Sequence, residues 1–347
     1  MSGHAQSAAG RQDDRSSYLV AGFVVLLVVL CGLFYYKWGG AIRTVSGVRE
    51  IGRWAGTADG LTTGGVLRET LFYFRRIWIA LVYGLLIGAA VRAFVSPRRV
   101  AALLSWGGAV RRQVVAGLAG TPLMLCSCCI TPIFQSVYER GARLGSALAV
   151  MLASPGLNPA ALLLTAILFP PSLAVVRITA ALMAVFGLAP LIERTVGEGL
   201  TVADGRFAPL AADDAPRSLR EMLARFAGAL GYLTVRTVPL VFAGVLLSSL
   251  MLPAALKVST GGTLLVVALV AAVAVLVALP TFFEIPLAML FLGLGSPGAA
   301  AAMLVAGPIV NLPSLLVLAR ETRPKVAVAV ALGVWVLAVA AGLVASA

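Results

Sequence analysis

Nine long apolar runs dominate the chain: Tyr18–Tyr36, Leu71–Val95, Val114–Val137, Ser146–Phe169, Leu173–Ile192, Phe226–Leu252, Leu264–Leu292, Ala299–Leu318 and Val326–Val344. As helices, rising about 1.5 Å per residue, each is long enough to reach across about 30 Å of hydrocarbon. Inside a bilayer the backbone must satisfy its own hydrogen bonds, and helices do that within one segment. Charged residues make up only 12% of the 347 positions and hydrophobic ones 60%, against about 25% charged in a soluble domain. A soluble enzyme, a disordered chain and a disulfide-rich secreted domain are all excluded on this ground. The first run is longer than a signal-peptide core and lacks a small-residue cleavage site, so it reads as a spanning helix. The expected fold is an all-α polytopic membrane protein.

The charge balance bears on topology. There are 27 Lys and Arg against 14 Asp and Glu, a net charge of +13. No basic patch is interleaved with aromatics, so nucleic acid is not the expected partner; arginines in cytoplasmic loops beside anionic lipid are. Arg92, Arg98, Arg99, Arg111 and Arg112 fill one connection, Arg194, Arg206, Arg217, Arg220 and Arg225 another, and Arg320, Arg323 and Lys325 a third. If all nine runs cross, these connections fall on different sides. If Val114–Val137 and Leu264–Leu292 are re-entrant hairpins, all three share one side, and the facing loops carry only Lys257. The hairpin arrangement fits the positive-inside rule and inverts one half of the chain relative to the other. The stretch 37–69, with Lys37, Arg43, Arg49, Arg53 and Arg68, does not follow from that scheme.

A repeat supports two halves. Thr131-Pro132 precedes Ala153-Ser154-Pro155-Gly156-Leu157-Asn158-Pro159, and Ile285-Pro286 precedes Ala306-Gly307-Pro308-Ile309-Val310-Asn311-Leu312-Pro313. Pro155 to Pro308 and Asn158 to Asn311 are each 153 positions apart, Pro132 to Pro286 is 154. The chain is therefore divided into an N-terminal tail, first helix and loop (1–69), a first repeat (70–195), a polar linker (196–225) and a second repeat (226–347). Pro155, Pro159, Pro286 and Pro308 are read as helix breaks.

Chemistry concentrates at these breaks. Leu125-Cys126-Ser127-Cys128-Cys129-Ile130-Thr131-Pro132 would form the tip of the first hairpin. Backbone freed near mid-membrane must face protein or a water-lined cavity, the setting of a transporter site. Cys126, Cys128 and Cys129 give it affinity for soft, thiophilic species, with Ser127 and Pro132 beside them; the structural alternative is small-residue packing, which is the reading for Cys31. A C-x-C spacing also allows a redox pair. Asn158 and Asn311 would either cap broken half-helices or touch a substrate. Glu284, in Pro280-Thr-Phe-Phe-Glu284-Ile-Pro286, is the acid that lies well inside an apolar run. A charge there faces a cavity or carries a proton, unless the tip is interfacial. Arg177 and Arg236 are expected to snorkel from span ends, and Gly141, Gly145, Gly293 and Gly295 to serve turns and close packing. The single histidine, His4, lies in the polar tail, so neither a His/Cys zinc site nor another resident metal or cofactor is expected. No nucleotide-binding loop, H-E-x-x-H or G-x-S-x-G occurs, which argues against an ATPase or hydrolase.

Cys126-Ser127-Cys128 with Pro132 and Gly141, Ala153-Ser154-Pro155-x-x-Asn158-Pro159, Glu284-Ile285-Pro286 and Ala306-Gly307-Pro308 together resemble the YraQ/ArsP family of predicted permeases, over roughly residues 70–345. The resemblance implies a permease, and its ArsP branch implies export of trivalent organoarsenicals on cysteine thiols. Cys129 stands where many members have glycine, and Phe282-Phe283 stands at the second tip, which has no cysteine. The expected protein is an inner-membrane efflux permease for a small soft or thiol-reactive solute. Its expected partners are that solute and the lipid bilayer, with a homo-oligomer left open. Two alternatives stay open: a permease for a sulfur anion or other small metabolite, with cysteines that only pack, and a membrane thiol redox protein.

Overall fold

The computed structural model describes residues 22, 24–40, 42, 63–95, 104, 107–197, 219–256, 264–279 and 282–347. His4, the start of the first apolar run, most of stretch 37–69, much of the polar linker and Pro280-Thr281 lie outside the described residues. Within them the chain is helical and has no strand. The helices are α1 (Val24–Gly40), α2 (Thr63–Phe94), α3 (Ala109–Gly120), α4 (Thr131–Glu139), α5 (Leu144–Gly156), α6 (Pro159–Leu168), α7 (Pro171–Met183), α8 (Ala189–Thr195), α9 (Leu219–Leu256), α10 (Leu264–Leu276), α11 (Glu284–Gly293), α12 (Pro297–Ile309), α13 (Leu312–Glu321) and α14 (Pro324–Ser346). Five stretches are long and apolar enough to span: Thr70–Phe94, Leu144–Leu168, Pro171–Thr195, Leu219–Leu247 and Pro324–Ser346. The pair α12–α13, bent by 42°, makes a sixth. Their outward faces carry Trp78, Ile167, Val175, Val235, Val328 and Val336, all exposed. That apolar surface is the face lipid would cover.

Contacts along the helices fix their directions. Phe94 stacks on Phe226 at 5.8 Å and Phe74 meets Phe242 at 5.5 Å, so α2 and α9 run antiparallel. Gly84 touches Cys129 and Gly88 touches Pro132, while Arg92 pairs with Glu139, so α4 runs parallel to α2. Gly145 lies against Gln113 and Gly120 against Val150, so α3 runs parallel to α5. The tight turn at residues 140–143 reverses the chain between α4 and α5. Thus α3 enters and α4 returns to the end of the bundle where α5 begins, and Val114–Val137 is a hairpin. In the second half Gly298 and Gly342 touch Val267, while Leu279 and Glu284 touch Gly307. That places α10 parallel and α11 antiparallel to α12, a second hairpin.

The second hairpin opens at the opposite end of the bundle. Gly244 packs on Pro313 and Arg236 pairs with Glu321, so α13 runs antiparallel to α9. The α5–α6 and α12–α13 spans therefore run in opposite directions. Helix starts recur at a spacing of 153: Thr131 and Glu284, Leu144 and Pro297, Pro159 and Leu312, Pro171 and Pro324. Each hairpin ends on a glycine with positive φ, Gly141 at 93° and Gly295 at 74°. In both, the next residue's N–H reaches back five residues to a helix carbonyl, Ala142 to Val137 at 3.2 Å and Ser296 to Phe291 at 2.9 Å. This is the left-handed glycine stop of a Schellman turn, a conformation that side-chain-bearing residues disfavour.

Several expectations change. The first apolar helix runs on to Gly40 and buries Lys37. The polar linker is shorter than expected, because α9 starts at Leu219; Leu219, Met222 and Phe226 repeat at helical spacing and Met222 is buried. Pro159 and Pro286 start helices rather than break them, standing in the first turns of α6 and α11 where an N–H is not needed. Pro155 and Pro308 do lie inside α5 and α12, one residue before their ends.

Candidate substrate site

The chain leaves α3 through a 3-10 turn at Thr121–Leu123 and then runs irregularly to Ile130. Met124 sits in the left-handed region at φ 50°. The freed backbone of this tip finds partners in protein, as membrane depth requires. Leu125 N–H donates to Ser154 Oγ at 3.0 Å, and the N–H groups of Cys129 and Ile130 donate to the Cys126 carbonyl at 3.0 and 3.1 Å. Thr131 Oγ1 donates to the Cys128 carbonyl at 2.7 Å. The result is a tight loop in which Cys126, Cys128 and Cys129 are all buried and free. Cys126 Sγ lies 2.8 Å from Cys129 Sγ and 3.3 Å from Cys128 Sγ, and Cys128 and Cys129 are 3.8 Å apart. The Tyr73 hydroxyl lies 3.2 Å from Cys128 Sγ, and Lys37 is within electrostatic reach of Cys126.

The second tip uses the same device with different side chains. Phe282 takes φ 76°, uncommon for a bulky residue and a mark of a constrained site. Glu284 then opens α11, almost fully buried. Its Oε1 accepts from Arg177 Nη2 at 2.9 Å, and Arg177 Nη1 donates to Thr165 Oγ1 at 2.6 Å. Arg177 is only 2% exposed, so it does not snorkel; it is a buried partner that ties α7 and α6 to the second tip. Arg236 does not snorkel either. It donates to the Tyr232 hydroxyl at 2.6 Å and pairs with Glu321 at 3.4 Å, near the Arg92–Glu139 pair.

Both asparagines cap half-helices. Asn158 Oδ1 accepts from the N–H groups of Ala160 and Ala161 at 3.1 and 3.3 Å, at the start of α6. Asn311 Oδ1 accepts from Ser314 N–H at 3.1 Å while Ser314 Oγ accepts from Asn311 N–H at 3.0 Å, a closed capping box on α13. The two breaks lie close together, Gly156 facing Ile309.

Leu125, Cys126, Pro155, Asn158, Ala161, Leu279, Glu284 and Pro308 line one small cavity. Its free volume is about 10 Å³, room for about one water molecule. Five of the residues singled out in the sequence thus meet: Cys126, Asn158, Glu284, Pro155 and Pro308. Cys128 and Cys129 stand behind Cys126. Ser127, Pro132, Pro159, Pro286 and Asn311 are placed around the tips and breaks but do not line the cavity. A far larger groove, about 940 Å³, lies between α3, α7–α8 and α14 and carries none of these residues. It is an apolar furrow on the outer face, and the chemistry does not point to it.

Sequence reasoning missed several contributors, among them Tyr73 beside Cys128 and Thr165 beside Arg177. Arg177 stands six residues into α7, about 9 Å along the helix, and that depth already argues against a span-end arginine. Gly84-Leu-Leu-Ile-Gly88 is a G-x-x-x-G pair that lets α2 approach the thiol loop. The closest thiol pair, Cys126 and Cys129, has C-x-x-C spacing rather than C-x-C.

Comparison with known proteins agrees with this architecture. Residues 63–347 match the family ArsP_1, described as predicted permease. The chain belongs to this predicted permease family. It is 29% identical over 309 residues to the UPF0718 protein YraQ of Escherichia coli (strain K12), covering 86% of the permease and 87% of YraQ. It is 41% identical over 54 residues to the UPF0718 protein MJ0584 of Methanocaldococcus jannaschii, covering 16% of the permease and 15% of that relative. No solved structure matches the permease. Family and helix profile together make it a multi-pass membrane permease whose partners are the bilayer and a small-molecule substrate.

Proposed function

We propose that this permease exports a small thiol-reactive solute, such as a trivalent organoarsenical, across the inner membrane in a proton-coupled cycle. The observation that carries this reading is the meeting of Cys126, from one hairpin tip, with Glu284, from the other, on one cavity at the two helix breaks. A monosubstituted trivalent centre bearing two hydroxyls takes two thiols: two S–As bonds form, two As–O bonds break, and each thiol proton leaves with a hydroxyl as water. No electron moves, so the step is reversible and suits carriage. Asn158 lines the path, Asn311 caps the second break beside it, Ser127 and Pro132 flank the thiols at the substrate, and Glu284 carries the coupling proton by exchanging its contact with Arg177. The antiparallel spans and the 153-residue spacing support two inverted repeats, 70–195 and 226–347, joined by the linker. The cavity holds about one water in this state, so substrate enters when the tips part.

Cys126→Ala and Cys128→Ala are each expected to abolish protection of cells against trivalent methylated arsenic at unchanged expression. Full protection by both variants overturns the thiol site. Binding that survives thiol alkylation would instead favour another small metabolite. A second reading has its own observation: the 2.8 Å Cys126–Cys129 contact suits a membrane thiol redox protein. A reversible Cys126–Cys129 disulfide in native membranes, with no transport by the purified chain in liposomes, would favour it.

A further inference from the structure

We infer that the thiol loop is a three-coordinate site, and that Cys129 extends its reach from centres with two exchangeable positions to centres with three. The inference deepens the thiol-carrier reading above and rests on it. Three observations support it. First, the three sulfurs already converge at 2.8, 3.3 and 3.8 Å, and all lie within 4.8 Å of one another. A centre with sulfur bonds of about 2.3 Å needs its sulfurs roughly 3.4–4.0 Å apart, so small side-chain rotations suffice.

Second, the donor set stops at three. Among the described residues no histidine or carboxylate joins this group. Glu284, the acid on the cavity, has Oε1 held by Arg177, and the neighbour of Cys128 is the Tyr73 hydroxyl. Tetrahedral zinc would need a fourth donor. A pyramidal trivalent metalloid needs none.

Third, valence balances. Cys128 and Cys129 are wholly buried and Cys126 is 5% exposed, where net charge is costly. A trivalent centre on three thiolates is neutral, whereas a divalent ion would leave one negative charge and a monovalent ion two. Lys37 is a positive charge that acts on Cys126 from α1 and would offset part of one negative charge; a neutral complex needs no such offset. In the exchange, three S–metalloid bonds form and three metalloid–OH bonds break. Each thiol proton leaves as water with a hydroxyl, and nothing is oxidised or reduced. Cys126 faces the cavity, so it is the first thiol met.

The test uses the full chain in nanodiscs with arsenite as probe, and a methyl-substituted trivalent arsenical for comparison. Arsenite is expected to remove three of the four titratable thiols, sparing exposed Cys31, and X-ray absorption should count three sulfur neighbours. Cys129→Ala and Cys129→Ser should each lower the selectivity for arsenite over the methylated probe by about tenfold or more, with two sulfur neighbours remaining. Using both variants separates the lost thiol from any folding defect. Two sulfur neighbours in the wild-type chain, unchanged selectivity in folded variants, or tighter loading by zinc overturn the inference. Three-sulfur binding without transport in liposomes leaves the coordination standing and overturns the carrier reading; transport with a two-sulfur site does the reverse.

Discussion

Glu284→Gln is expected to destabilise the permease by about 3–5 kcal/mol, because it leaves the Arg177 guanidinium buried without its counter-charge. Arg177 and Glu284 have side chains only 2% and 3% exposed and meet at 2.9 Å. The two single variants are not equivalent. An arginine cannot shed its proton in a protein, whereas a carboxyl stripped of its cation can take one up and become neutral. Arg177→Met should therefore cost less than Glu284→Gln. Replacing both partners removes the pair without leaving a buried charge, so the double variant should recover most of the loss. Thermal or denaturant unfolding in detergent micelles of the two singles and the double checks this. If the double variant is as unstable as Glu284→Gln, the buried pair is not what ties α7 to the second tip.

The second large effect is steric. A methyl group added at Gly84 would collide with the Cys129 carbonyl oxygen, a backbone atom of the thiol loop. Neither side has a flexible end to move aside, so Gly84→Val must push the loop away from α2. Overpacking of a well-packed interior costs about 1–3 kcal/mol. Here it should also dismantle the sulfur triangle, with transport lost as completely as in Cys126→Ala. Gly88→Ala should have a smaller effect of the same kind, since its added methyl meets the Pro132 carbonyl at 2.8 Å. Gly231→Ala on α9 is the internal control, with nothing within 4 Å, and should leave both stability and transport unharmed. Full transport by Gly84→Val would show that the loop does not need its place against α2.

Both effects sit where the sequence was partly legible. Hydrophobic run length and arginine placement marked the two hairpins, because re-entry alone put the basic connections on one side. Contacts such as Gly145 with Gln113 and Gly298 with Val267 have that form. The prolines and asparagines marked the breaks through simple backbone chemistry: a missing N–H, and a side chain that caps. Less legible were features that depend on two distant segments meeting. The partner of Glu284 lies 107 residues away on α7, and no local pattern around Arg177 announces it. The left-handed residues Met124 and Phe282 were invisible for a related reason. Nothing about a methionine or a phenylalanine favours that conformation, so it is imposed by the surrounding packing. Asn311 was expected to cap a half-helix or to touch a substrate; it closes a capping box, and its Nδ2 is buried without a hydrogen-bond partner.

The most direct test is the rate at which Cys126 reacts with N-ethylmaleimide, read by mass spectrometry in nanodiscs, in the wild type and in Leu279→Trp. Leu279 comes from the second hairpin and Cys126 from the first, and both line the same cavity. The indole should fill that space and slow Cys126 labelling about tenfold or more, and a methylated trivalent arsenical should do the same to the wild type. Exposed Cys31 should react at one rate throughout. Equal Cys126 rates in both chains, with and without the arsenical, would contradict a single substrate site shared by the two tips.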